Sequence, residues 1–251
     1  MMHLRAAVLG TALVMGSSAV CFGQPAEGSF ERTLKVTGNL TLEVATGSGR
    51  IDVRTGPSDT VVIHGRIVAS DSWFSSTNAT ERVRQVEQNP PIDQDGNSIR
   101  VGKSGDREPY NSVSISYDIT VPAATDLRAA VGSGAVHVEG VRGQARVTTG
   151  SGSIELGGVG GAVDARAGSG RILVRGLGNG ITAHAGSGSV TLELPQSAAF
   201  NLSVSTGSGG IDVGHPMTMQ GKLSRHSVRA TVRGGGPLVD VSTGSGSVTI
   251  N

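Results

Sequence analysis

The stretch GSGAVHVEGVRGQARVTTGSGSIELGGVGGAVDARAGSGRILVRGLGNGITAHAGSGSVTLEL, residues 132–194, decides the fold. Gly-Ser-Gly opens it at Gly132 and returns at Gly150, Gly168 and Gly186, every 18 residues. Each triplet precedes a four-residue phrase (AVHV, SIEL, RILV, SVTL) whose second and fourth residues are Val, Ile or Leu. Period-two alternation marks a strand with one buried face. The triplet also occurs at Gly47, Gly207 and Gly244, followed by RIDV, GIDV and SVTI.

The other half of each unit repeats too, as QARVTT at 144–149, AVDARA at 162–167 and ITAHA at 181–185, each entered through a glycine-containing bend. One unit is strand, bend, strand, bend. The triplet glycines are read as its corners, because glycine reaches positive φ without steric cost. Two short strands cannot bury a face alone. Stacked units can, with backbones paired about 4.8 Å apart and inward side chains in ladders. The expected ladders are Val136, Ile154, Ile172, Val190 and, beside it, Val138, Leu156, Val174, Leu192. The opposite wall carries Ala145, Val163, Ile181 and the smaller Val147, Ala165, Ala183. The expected fold is an all-β parallel helix, a solenoid of 18-residue, two-strand coils, most regular over 126–194.

Two other helices with short repeats are excluded. The left-handed hexapeptide type needs an aliphatic residue every six positions, and Gly160 stands six after Ile154. The calcium-binding nonapeptide roll needs Asp in nearly every turn. Here the comparable positions hold Asp52, His137, Glu155, Leu173, Thr191, Asp212 and Thr249, so no metal is expected.

Before Gly132 the repeat is diluted. Leu34–Val53, Val61–Val68 and Val113–Val121 read as strands around an insert at about 70–112. Within it, Asn78 followed by Glu81 predicts a helix N-cap, with Val83 and Val86 on one face and Pro90-Pro91 as the stop. The remainder, with Asp93, Asp95, Gly96 and Gly105, reads as loops. Such a block caps the open backbone edge of a solenoid.

Residues 1–23 read as a signal peptide: Arg5, a short apolar run Ala6–Val20, and small residues before a cut after Gly23. Lipid attachment at Cys21 fits poorly, because Val20 and Ser18 stand where a small residue and Leu are expected. The domain expected after cleavage is 24–251, exported to the periplasm, cell surface or medium. It contains no cysteine, which removes thiol nucleophiles and Cys metal sites. No later stretch reaches the ~20 apolar residues of a membrane-spanning helix. A formal charge of +1, with no basic stripe, argues against nucleic acid. Aromatics are only 3%, so the core must be thin and aliphatic.

An opening strand, TGSGRIDV at 46–53, a variable insert, YDITVPAATDL at 117–127 and serial Gly-Ser-Gly strands together resemble the bacterial β-strand-repeat family called putative adhesins. The ending GKLSRHSVRATVRGGGPLVDVSTGSGSVTI at 221–250 resembles that family's ending. The resemblance covers about residues 30–251. It implies a right-handed parallel β-helix in an exported or envelope protein, and it carries over no catalytic motif.

No catalytic constellation emerges from the residues. His64, His137, His184, His215 and His226 show no helical i, i+4 pair and no HExxH. A glycosidase needs two carboxyls about 5–10 Å apart. The coil register instead puts Glu155 beside His137 and Leu173, Asp164 beside Arg146 and Thr182, and Glu193 beside Arg175. Each of these carboxylates meets a cation or a neutral residue. Strands, not helices, follow every Gly-Ser-Gly, which excludes phosphate loops and nucleophile elbows. Trp73 and Phe74, near Tyr110 in the insert, are candidate partner contacts or packing for the insert.

The expected function is a non-catalytic, adhesin-like scaffold without cofactor, contacting an extended polymer such as a glycan, or an envelope protein. A carbohydrate-active β-helix enzyme and an envelope-stress sensor stand as alternatives.

Overall fold

A computed structural model describes residues 25–70, 78–102, 110, 112–219, 224 and 226–251. The signal-peptide reading, Cys21, and the pair Trp73 and Phe74 lie outside them. In chain order the first block is β1 (Ala26–Lys35), β2 (Leu40–Ser48), β3 (Ile51–Thr55), β4 (Thr60–Ala69), α1 (Ala79–Gln88), β5 (Ile92–Asp95), β6 (Ser98–Val101) and β7 (Val113–Val121). The coils follow: β8 (Thr125–Glu139), β9 (Ala145–Gly157), β10 (Val163–Ser169), β11 (Ile172–Arg175), β12 (Ile181–Ser187) and β13 (Val190–Glu193). Last come β14 (Phe200–Ser208), β15 (Ile211–Val213), β16 (Met217–Met219), β17 (Ser227–Val232), β18 (Leu238–Ser245) and β19 (Val248–Ile250).

Successive coils pair in parallel with an 18-residue register. Val136 lies on Ile154, Ile154 on Ile172 and Ile172 on Val190. On the facing wall Ala145, Val163 and Ile181 align, as do Val147, Ala165 and Ala183. All these side chains are buried, so the alternation in sequence is an alternation of inside and outside.

The two glycines of each triplet meet different demands. Gly152 has φ +147°, which turns the chain from one wall to the other and which a side chain rarely adopts. Gly150 is extended and lies within strand β9, but a Cβ there would fall 2.6 Å from the carbonyl oxygen of Gly132 in the coil below. The bend therefore belongs to the second glycine, and the first permits close approach of two backbones.

At the N-terminal end β7, β4 and β1 extend one wall, the last two antiparallel, while β6 and β5 extend the other. Helix α1 packs on β1 and β4. Asn78 caps it, its side chain accepting from the Glu81 N–H at 2.8 Å, and Ala79, Val83 and Val86 are buried. Phe30, Gly65 and Tyr117 stand in register across β1, β4 and β7. The missing side chain at Gly65 admits the Phe30 ring, whose centroid lies 6.4 Å from that of Tyr117.

Residues 92–101 differ from the expected loop. They form a β5–β6 hairpin, because Gly96-Asn97 supplies a two-residue turn with Gly96 at φ +56° and Ile99 and Val101 alternate inward. The C-terminal end differs in order: β18 and β19 pair with β12 and β13, and β14 and β15 lie beyond them.

Candidate interaction surface

Stacking without offset turns every outward position into a column. At the corner, Ser48, Ser133, Ser151, Ser169, Ser187, Ser245 and Ser208 align in unbroken register. Each is exposed and flanked by glycines, so the hydroxyls stand clear of other side chains at about 4.8 Å intervals. At three corners the threonine before the triplet, not the serine, serves the backbone, whereas Thr149 Oγ1 is buried without a hydrogen-bond partner. Thr243 Oγ1 donates to Gly188 O at 3.0 Å, Thr206 Oγ1 to Gly246 O at 3.1 Å, and Thr46 Oγ1 to Ile115 O at 2.9 Å. That role left no signal in the repeat, where Ala167 and Ala185 replace threonine in neighbouring coils.

Beside the serine column, on the outer face of the wall built from β2, β8, β9, β10 and β12, lies a recess of about 530 Å³. Arg128, Arg146 and Arg166 line it with Asp126, Asp164, Gln144 and Thr182. Arg128 stands directly opposite Arg146, a like-charge neighbour pair that is unfavourable on its own. Asp164 accepts from Arg146 Nε at 3.1 Å and from Arg166 Nε at 3.0 Å, so one carboxylate serves two guanidiniums. Asp126 accepts from the Gln144 N–H at 2.8 Å. The recess thus presents forked donors to solvent, a geometry suited to carboxylate or sulfate groups and to sugar hydroxyls.

The other wall carries a column of acids and imidazoles. Glu31, His64, Asp118, Asp52, His137 and Glu155 occupy one outward row on consecutive strands. Glu155, Asp164 and Glu193 have the neighbours expected of them, but Asp52 and Asp118, which the coil register did not cover, are direct neighbours. The pairing joins strands on either side of the insert, 66 residues apart rather than a multiple of 18, so the coil register could not foretell it. Asp52 is 7% exposed, with its carboxylate 3.3 Å from Arg50 Nε. His64 Nδ1 is 4.0 Å from Asp118 and His137 Nδ1 is 3.7 Å from Glu155. The next row holds Arg175 between Glu155 at 2.5 Å and Glu193 at 3.0 Å, and these bonds raise the guanidinium's pKa.

The remaining histidines are scattered. His184 Nδ1 lies 2.5 Å from Ser242 Oγ, His226 is exposed, and His215 is buried with its ring edge-on to Phe200 at 5.6 Å. No three His, Cys, Asp or Glu among the described residues converge as a metal site. Tyr110 is half-buried beside a recess of about 400 Å³ formed with Pro90, Pro91, Asp93 and Arg100. No helix among the described residues is long and apolar enough to cross a membrane.

Parallel coils, ladders and capped ends define an all-β, solenoid-like protein. The chain belongs to the Toastrack DUF4097 family, whose model matches residues 28–251. A putative cell adhesion protein from Clostridium sporogenes has a similar structure, with TM-score 0.52 at 16% identity over 90% of this chain and 99% of that one. A putative adhesin from Bacteroides fragilis aligns at TM-score 0.33 and 13% identity over 91% of this chain and 99% of that one. No curated protein matches the chain.

Proposed function

We propose that the protein is an exported, non-catalytic scaffold of the adhesin-like kind, a right-handed coil that docks an extended polymer along the face holding the serine column and the arginine recess. The unbroken column of seven exposed serines carries the reading. A periodic row of hydroxyls beside forked cations suits a repeating ligand, each unit adding a weak contact, so that avidity rather than one deep pocket supplies affinity. An acidic glycan matches both features. The test is binding of purified protein to neutral and uronate-bearing polysaccharides. Saturable binding to the acidic polymer is expected, weakened at least tenfold by Arg128→Ala with Arg146→Ala and unchanged by Asp212→Ala on the far wall. Absence of saturable binding to any polymer would leave a purely structural role. Export is tested by the mass of the mature N-terminus and by fractionation, with cleavage expected after Gly23.

The Asp52–Asp118 pair favours a second reading, a carbohydrate-active enzyme. Release of reducing ends from a polysaccharide panel, lost in Asp118→Asn, would establish it.

A further inference from the structure

The last two coils do not stack in chain order. β14 is flanked on its outer side by antiparallel β17 and on its inner side by parallel β18, so residues 233–237 carry the chain across the start of β14. The crossing is tight. Asn201 Nδ2 donates to Gly236 O at 3.0 Å, and a Cβ on Gly236 would lie 2.4 Å from Ala199 O. Arg233, Gly234 and Gly235 have φ of 48°, 90° and 84°, three left-handed residues in succession, of which Arg233 carries a side chain that disfavours the conformation.

The coil that follows fills a slot between β12–β13 and β14–β15. Val239 and Val241 sit between Ile181 and Ala183 on one side and Leu202 and Val204 on the other. Val248 likewise joins Val190 to Ile211. These are the side-chain types that every coil offers. The slot therefore recognises the coil pattern and not the connection that delivers it. A repetitive acceptor joined to a strained hinge is the condition under which identical elements exchange between molecules.

We propose that this slot is an interaction surface for a second copy of the chain. Leu238–Ile250 of one molecule occupies the slot of its partner, and the exchange is reciprocal, giving a symmetric dimer. Every strand pairing of the monomer is kept. Only the crossing changes, opening into an extended link in which Arg233 leaves the left-handed region.

The test uses the full chain with Gly234–Gly236 deleted. Two residues then join Val232 to Leu238, reaching at most ~11 Å. They would have to climb over a strand and span two spacings, ~9.6 Å. Closure within one chain is lost while exchange remains open. Cysteines placed at Thr191 and Thr249, which are direct neighbours across β13 and β19, report the connectivity, with Cys21→Ser removing the natural thiol. The hinge-deleted chain is expected to be a dimer by light scattering, to keep the strand circular-dichroism signal, and to show a reducible dimer band on a denaturing gel. With the hinge intact, the disulfide closes within one chain. Without the cysteines, warming the intact-hinge chain at high concentration yields dimer, and Arg233→Gly lowers that yield several-fold. A hinge-deleted chain that stays monomeric with an intrachain disulfide overturns the proposal. So does one that loses its strand signal at every concentration, because the slot would then accept its coil only from its own chain.

Discussion

Gly150 lies against the carbonyl of Gly132, one coil earlier, so closely that a methyl group on it would sit 2.6 Å from the oxygen. The same approach recurs at Gly168 on Gly150 and Gly186 on Gly168, each at 2.6 Å. Gly47, in the first coil, has open space at the equivalent position. Alanine substitutions should therefore grade by place and not by residue type. Gly47→Ala is expected to change stability by less than about 0.5 kcal/mol. Gly150→Ala should cost ~1–3 kcal/mol from overpacking against backbone that cannot yield. Gly152→Ala, with φ +147° and the Gly134 oxygen 1.8 Å from its Cβ, adds a conformational cost of ~1–3 kcal/mol to the clash. Urea unfolding of the three variants checks the order.

That gradation marks the limit of what residues alone disclose. The 18-residue register was legible because Gly-Ser-Gly fixes the phase and Val, Ile and Leu alternate after it. Ile154 over Ile172 follows directly. The position of β18 was not legible, since Val190, Ile211 and Val248 belong to one pattern and nothing in that pattern says which coil touches which. The helix from Ala79 can be read from the Asn78 cap, yet the β5–β6 hairpin is hidden by the charged residues that flank its turn at Gly96-Asn97. The serine column was implicit in the triplets. The recess was less so, because Arg128, Arg146 and Arg166 come together only once the wall is folded and the coil register is known.

Arg175 offers a test of how little exposed ion pairs matter here. It bridges Glu155 and Glu193, but the three side chains are 45%, 39% and 48% exposed. Solvent screening and side-chain entropy leave such contacts weak. Arg175→Met is expected to lower stability only slightly, and the difference should vanish near 1 M salt, where the screening length is ~3 Å. Ile172→Ala, beside it but facing inward between Ile154 and Val190, should cost ~2–5 kcal/mol at any salt concentration. Thermal melts across a salt series separate the two.

The chain has two tyrosines, and burial pushes both phenols above their ordinary value of 10.0, Tyr117 far more than Tyr110. In the unfolded chain both would ionise near pH 10. The folded state keeps its protons through that range, so unfolding releases protons and stability falls as pH rises above about 10. Below that pH the tyrosines contribute no pH dependence. Absorbance at 295 nm should rise little at pH 10 and then jump with alkaline unfolding. In Tyr117→Phe the remaining Tyr110 signal should titrate earlier. A full two-tyrosine step at pH 10 in folded protein would contradict the burial described for Tyr117.

Asp52 and Asp118 test the acidic column. Like charges directly opposite on neighbouring strands repel, by roughly 0.2–1 kcal/mol. The two carboxylates differ in support: Asp52 is nearly buried and sits 3.3 Å from Arg50 Nε, whereas the Asp118 side chain is 55% exposed with His64 4.0 Å away. Asp118→Asn should therefore stabilise the protein at pH 7 by a few tenths of a kcal/mol up to ~1, by relieving repulsion at small loss. Asp52→Asn should destabilise it, because a partly buried partner of Arg50 disappears. Unfolding free energies of the two variants at pH 7 decide the matter. Destabilisation by both variants at pH 7 would mean that the row is held by His64 and its neighbours more strongly than the two acids oppose it.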